Sequence, residues 1–140
     1  MTIAYWKTSS YAALLVLLAG CGHTTGRQAL RGSVTLDGEP LPRGTIQFVP
    51  LPGTDGPSAG GEIQGGQFSI KPGKGVFFGS FRVEITASRK TGEKVTDRIS
   101  GEMTEAYAQF LPDRYNRKSE LTAEVQEDGP NRFEFALSSK

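Results

Sequence analysis

Between Ser80 and Ser88 apolar and polar residues alternate without a break, Phe81, Val83, Ile85 and Ala87 against Arg82, Glu84, Thr86 and Ser88. Only an extended chain puts those four apolar side chains on one common side, so the stretch reads as a central strand with one buried face. Such a strand needs neighbours beside it and a second layer beneath it. The rest of the chain offers both. Leu30, Val34 and Leu36 share one side of 30–36, Ile46 and Phe48 one side of 45–49, and Ile63, Phe68 and Ile70 the inner side of a hairpin closed by Gly65-Gly66. Leu121, Ala123 and Val125 form another set, and Phe133, Phe135 and Leu137 a last one, separated by the turn Asp128-Gly129-Pro130-Asn131.

Seven half-apolar strands joined by turns describe an all-β fold, a seven-stranded antiparallel β-sandwich, with a partly closed barrel as the alternative of the same periodicity. The 18 glycines and 8 prolines among 140 residues fit many tight turns. They stay below the roughly 25–30% share that marks disorder. Asp37-Gly38 is a turn, the run Pro40-Leu41-Pro42 cannot continue a ladder because proline lacks a donor, and 51–61 reads as an exposed loop. One region breaks the period. Met103, Ala106, Tyr107, Phe110 and Leu111 recur at helical spacing before Pro112, which predicts a short helical or irregular insertion that lies across the sheets and buries Met103, Ala106, Tyr107 and Phe110, after a loose polar stretch over 91–102.

The chain begins with a different kind of signal. Lys7 in a polar start, an apolar run from Tyr11 to Leu18 and then Leu18-Ala19-Gly20-Cys21 have the layout of a secretory signal peptide. The run is far shorter than the about twenty residues that a spanning helix needs. Leu-Ala-Gly-Cys resembles the lipobox of bacterial lipoproteins; an ordinary cleaved signal is the alternative. The lipobox implies cleavage after residue 20, lipidation of Cys21 and stable attachment through several acyl chains. Residues 21–29 then form a tether with a flexible reach of roughly 15 Å, and 30–138 form the sandwich. The expected location is the cell envelope, and Gly22, which is not Asp, favours the outer membrane where there are two.

Without its first twenty residues the chain loses Lys7 and no acid, leaving fifteen basic and fifteen acidic residues. A neutral balance without a basic stripe argues against nucleic acid. Cys21 is the only cysteine, so lipidation leaves no thiol for a disulfide and packing must hold the fold.

Motifs for chemistry are sparse. Gly56-Pro57-Ser58-Ala59-Gly60 matches a nucleophile elbow in letters, but lacks the strand before and helix after it, and the only histidine is His23 in the tether. Asp37, Glu39, Asp55 and Asp128 lie in turns without the close spacing of a calcium loop, and zinc or copper would want more His or Cys. Gly73-Lys74-Gly75 lacks the spacing of a phosphate loop. No metal and no cofactor is expected. Two stretches are candidates for contact with a partner: Phe77-Phe78 in a glycine-rich turn, and Arg114, Tyr115, Asn116 and Arg117, followed by Lys118, in a connecting loop.

The run Gly32-Ser33-Val34-Thr35-Leu36-Asp37-Gly38-Glu39-Pro40-Leu41-Pro42-Arg43-Gly44-Thr45-Ile46-Gln47-Phe48 resembles the opening of the carboxypeptidase regulatory-like, or transthyretin-like, sandwich domain. Gly79-Ser80-Phe81-Arg82-Val83-Glu84-Ile85 is similar to that family's Gly-x-Tyr-x-Val-x-Val strand, with Phe81 where tyrosine is usual. Leu111 to Asn116, Leu121 to Val125 and Asn131 to Phe135 are similar to small bacterial lipoproteins carrying the domain, so the resemblance covers most of 30–138. Gln64-Gly65-Gly66-Gln67 departs from it by lacking aspartates. The resemblance implies an immunoglobulin-like sandwich and no particular activity. The transthyretin-like hydrolases use several histidines, which this chain lacks. The expected function is therefore non-enzymatic: a lipid-anchored sandwich that presents a binding or scaffolding surface to another envelope protein. A weak glycan or small-ligand module, with envelope polysaccharide as its partner, is the alternative; the lone Trp6 in the signal segment places it second.

Overall fold

The computed structural model describes residues 26–140; Cys21, the lipobox and His23 lie outside the described residues. The chain is all-β. Its strands are β1 (Leu30–Leu36), β2 (Glu39–Pro40), β3 (Arg43–Pro50), β4 (Ala59–Gln64), β5 (Gln67–Ile70), β6 (Gly79–Thr86), β7 (Ser88–Thr96), β8 (Met103–Gln109), β9 (Thr122–Val125) and β10 (Arg132–Leu137). One-turn 3-10 helices occupy Pro72–Lys74 and Asp113–Tyr115.

Seven of these strands form one curled path in the order β10-β1-β5-β4-β3-β6-β9, with the short β2 paired to β1. They are the seven that the alternation predicts. The curl turns the sheet into two layers. Phe48 on β3 and Phe133 on β10 are far apart along the hydrogen-bonded path, yet their rings lie 5.8 Å apart, and Phe48 also meets Phe68 at 6.0 Å. So β10, β1 and β5 face β4, β3, β6 and β9 across a common core. The corner is the β4–β5 hairpin, which has only two paired positions, Ile63 with Phe68 and Gln64 with Gln67. Gly65 and Gly66 close it with φ of 55° and 77°, the two positive values that a two-residue hairpin turn requires.

The predicted inner faces are the core: Leu30, Val34, Ile46, Phe48, Ile63, Phe81, Val83 and Ile85 are all fully buried. Each such side chain contributes about 1.5–3 kcal/mol by leaving water. Leu41, between two exposed prolines, is buried in the same core.

Two differences from the sequence reading have physical causes. The neighbours β1 and β10 run parallel, from Arg31 beside Arg132 to Leu36 beside Leu137, whereas the other pairs are antiparallel. These are the first and last strands, so no tight turn imposes opposite directions on them. Gly32 lets them approach, since a Cβ there would sit 1.8 Å from the Phe133 carbonyl oxygen.

The second difference is a correction. The helical insertion expected over 103–111 is a strand, β8, and the polar stretch expected to be loose is its partner β7. Met103 and Tyr107, expected to be buried, are exposed. Only Ala87 separates β6 from β7, so the clean strand runs on past the sandwich edge and β8 folds back along it. The helical spacing arose because Met103 and Tyr107 serve no core, whereas Phe110 and Leu111 belong to the re-entry into it.

Candidate functional site

The sandwich has two poles, and the sequence candidates divide between them. At the first pole the chain enters: Gln28 donates its N–H to the Val76 carbonyl at 2.6 Å, just before Phe77-Phe78 and the start of β6. Phe77 is half-buried there, with the Arg27 guanidinium 6.0 Å above its ring and Gly56 against its edge. Phe78 is 56% exposed. The two rings, with Gly53, Asp55 and Gly79, line an open recess of about 380 Å³. The Thr54 hydroxyl holds that recess in shape by accepting from the Ser80 N–H and donating to the Ser80 carbonyl, both at 3.0 Å.

Arg114, Tyr115, Asn116 and Arg117 sit at the opposite pole, where β1 and β10 end. Asn116 is 4% exposed and acts within the loop: its amide donates to the Pro112 carbonyl at 3.0 Å, and its oxygen accepts the Arg117 N–H at 2.8 Å. Ser119, also buried, donates its hydroxyl to the Val83 carbonyl and so pins the loop to β6. Arg114 and Tyr115 grip the segment after β10. The Arg114 guanidinium lies 4.9 Å over the Tyr115 ring and donates to the Ser138 carbonyl at 2.7 Å and to that of Lys140. The Tyr115 hydroxyl accepts the Ser138 N–H at 2.9 Å. The neighbouring Arg114 and, after it, the Ser138 N–H hold the Tyr115 phenol below its ordinary pKa. Asp37 joins the same cluster: the Ser139 N–H at 3.0 Å is the main reason its carboxyl lies below the usual range. Arg117 remains exposed, bound by both Asp113 oxygens at 3.1 Å. All four loop candidates are thus engaged with their own chain, Arg117 while remaining exposed. They do not meet Phe77 and Phe78.

The feature that the periodicity did not reveal is the β7–β8 hairpin, an arm that leaves this second pole. Nine residues of β7 rise about 25–30 Å. At its root the Gln109 side-chain oxygen accepts the Ala87 N–H at 2.8 Å, Phe110 donates to the Ala87 carbonyl at 3.1 Å, and Arg89 covers the Phe110 ring at 5.4 Å. Glu105 pairs with Lys90 along one face and, by that contact, raises the Lys90 pKa. The tip is an ordered turn. One Asp97 oxygen accepts the N–H groups of Ile99 at 2.8 Å and Ser100 at 2.7 Å, while Asp97 donates its own N–H to the Glu102 carbonyl. Those bonds, Ser100 first and Ile99 next, hold the Asp97 carboxyl below its ordinary range. On this turn Ile99 is 99% exposed, and Met103 and Tyr107 stand out at 64% and 62%. An apolar residue inside the polar turn Asp97-Arg98-Ile99-Ser100-Gly101 is the one sequence signal that could have found the arm.

A third feature is polar. Arg31, Ser33, Glu62, Gln64, Gln67, Ser69, Arg132 and Glu134 line an open groove of about 580 Å³ on the outer side of β10, β1, β5 and β4. Among the described residues, no three His, Cys, Asp or Glu side chains gather as a metal site, and no helix is long and apolar enough to cross a membrane. Compared with protein-family models, curated proteins and solved structures, the chain matches none.

Proposed function

We propose that this chain is a lipid-anchored, non-enzymatic protein of the cell envelope, akin to the carboxypeptidase regulatory-like lipoproteins, that presents its hairpin arm as a binding surface. The carrying observation is polarity: the chain enters the sandwich at Gln28 and Val76, whereas the arm leaves from the other end of β6. Cys21 precedes Gly26 by five residues, which span at most about 18 Å when extended. A lipid on Cys21 therefore keeps the entry pole and Phe78 near the membrane and turns Ile99, Met103 and Tyr107 away from it. Ile99 held out on a hydrogen-bonded turn, with Met103 and Tyr107 exposed on the strand after it, favours a protein partner over catalysis. Arg117 and Lys118, exposed on the loop beside the arm's root, extend the same surface.

The test is crosslinking and pull-down from native membranes, comparing the natural chain with one whose arm is cut back to the pairs Ser88–Gln109 and Arg89–Ala108 and closed by Asn-Gly. The shortened chain should lose the partner proteins that the natural chain captures, and Cys21→Ser should lose acyl labelling and leave the membrane. Unchanged partners, or continued labelling of the serine variant, would refute the reading. A second reading, glycan or small-ligand binding, draws on the polar groove around Arg31 and Arg132. Saturable binding of purified envelope polysaccharide, abolished by Arg31→Ala with Arg132→Ala, would favour it.

A further inference from the structure

We infer that the free edge of β8 is a pairing surface for a second copy of this chain, joining two arms into one four-stranded sheet. The inference deepens the proposed function and rests on the arm being the presented surface.

A two-stranded ribbon standing in water is marginal by itself and gains independent stability as a sheet of three or more strands. The arm is such a ribbon: among the described residues β7 and β8 pair only with each other. Its two outer edges differ. That of β7 carries Arg89, Lys90, Glu93 and Lys94, and is broken between Lys90 and Lys94 by a register shift at which Gly92 takes a φ of 82°. Charges, lysine above all, and a bulge are what native proteins use to block an edge. The sandwich edges are also guarded, β9 by being four residues long with Glu124 within it, β10 by Pro130 ahead of it and by Arg132 and Glu134 along it.

The edge of β8 has one charge and none of the other devices. From Met103 to Gln109 it contains no proline, no glycine and no register break of its own, and its one charge, Glu105, is already neutralised by Lys90. Two contacts tell which backbone groups are free. Phe110 donates its N–H to Ala87 and the Ala106 carbonyl accepts the Thr91 hydroxyl, so the even-numbered residues face β7. Alternation along the strand then turns the N–H and C=O groups of Met103, Glu105, Tyr107 and Gln109 to the open side.

That set is self-complementary. A two-fold axis through Ala106 pairs Glu105 with Tyr107 of the second copy and Met103 with Gln109 of the second copy. All four outward residues then exchange hydrogen bonds on each chain, and no two like charges are opposed. An axis through Glu105 would place two glutamates opposite each other, and one through Tyr107 would leave Met103 without a partner. Chemistry and length select the same register, with Ala106 facing Ala106 across the axis.

The experiment uses the full chain in detergent, with molar mass read by light scattering at roughly 100 μM, well above a micromolar Kd. The natural chain should run as a dimer. Ala106→Lys and Ala106→Glu should each run as monomers, since like charges meet on the axis, and a one-to-one mixture should recover the dimer. With Cys21→Ser as background, Ala106→Cys should form an intermolecular disulfide on mild oxidation, because non-hydrogen-bonded pairs hold their Cα atoms about 4.5 Å apart. Ala108→Cys, displaced from the axis, should not. A monomeric natural chain, or lysine and glutamate variants that dimerise like it, would overturn the inference. A monomeric chain whose membrane crosslinks still depend on the arm leaves the proposed function standing with another partner, whereas crosslinks indifferent to the arm remove that function even if the dimer forms.

Discussion

The β6 strand and the β7 strand are one continuous run of chain, yet they obey different rules. Along β6 every second side chain is driven out of water, so sequence alternation and strand face coincide. Along β7 every residue is exposed, and nothing apolar enforces the extended conformation. What holds it is continuity with β6, the ladder to β8 and the clasp at Ala87, Gln109 and Phe110. Hydrophobic period reports secondary structure only where there is a core to report on. On the arm, apolar residues report something else, the surface that is left uncovered.

The contrast can be broken most forcefully in the body. Val83→Asp places an unpaired carboxylate at a fully buried position, which costs several kcal/mol or more against a margin of about 5–15. No cooperative melting transition should remain, and a normal one would mean that this face of β6 is not the buried one. Phe48→Ala, which removes the ring between Phe68 and Phe133, should lower stability by about 3–5 kcal/mol in urea titrations. Asn116→Ala should cost about 1–3 kcal/mol, because the Arg117 N–H and the Pro112 carbonyl lose their partner in the loop that pins β6.

On the arm the same kinds of change should be nearly silent. Ile99→Ser should shift unfolding free energy by no more than about 0.5 kcal/mol, as an exposed substitution does. A larger loss would mean that the tip packs against something. The smallest expected effect is local and depends on pH. The Asp97 carboxyl is depressed because its charged form accepts the Ser100 and Ile99 N–H bonds. Their stabilisation is therefore complete above the ordinary carboxylate range and is lost as pH falls through the depressed value. Amide shifts of Ile99 and Ser100 should report that loss while those of Val83 and Ile85 stay unchanged. Simultaneous movement of both sets would erase the distinction between arm and body.

The candidate surfaces were less legible than the core. Tyr115 and Arg114 have the composition of a binding loop, but the segment after β10 comes within reach and takes up their hydrogen bonds. Asn116 looks like a surface polar residue in sequence and is buried because its amide completes the turn after Pro112. Phe77 and Phe78 are adjacent in the chain, but one ring settles against Arg27 and Gly56 while the other stays in water. Which neighbour arrives from far along the chain decides each case.

By itself the sequence determined the seven strands, their buried faces and the main turns, because burial on one side of an extended chain imposes a period of two on the residues that are buried. Tertiary structure alone decided the parallel pairing of β1 with β10, the curl that brings Phe48 onto Phe133, and the arm. Those follow from contacts between residues remote in the chain, and from strands that continue where no core remains to be covered, so no hydrophobic period could encode them.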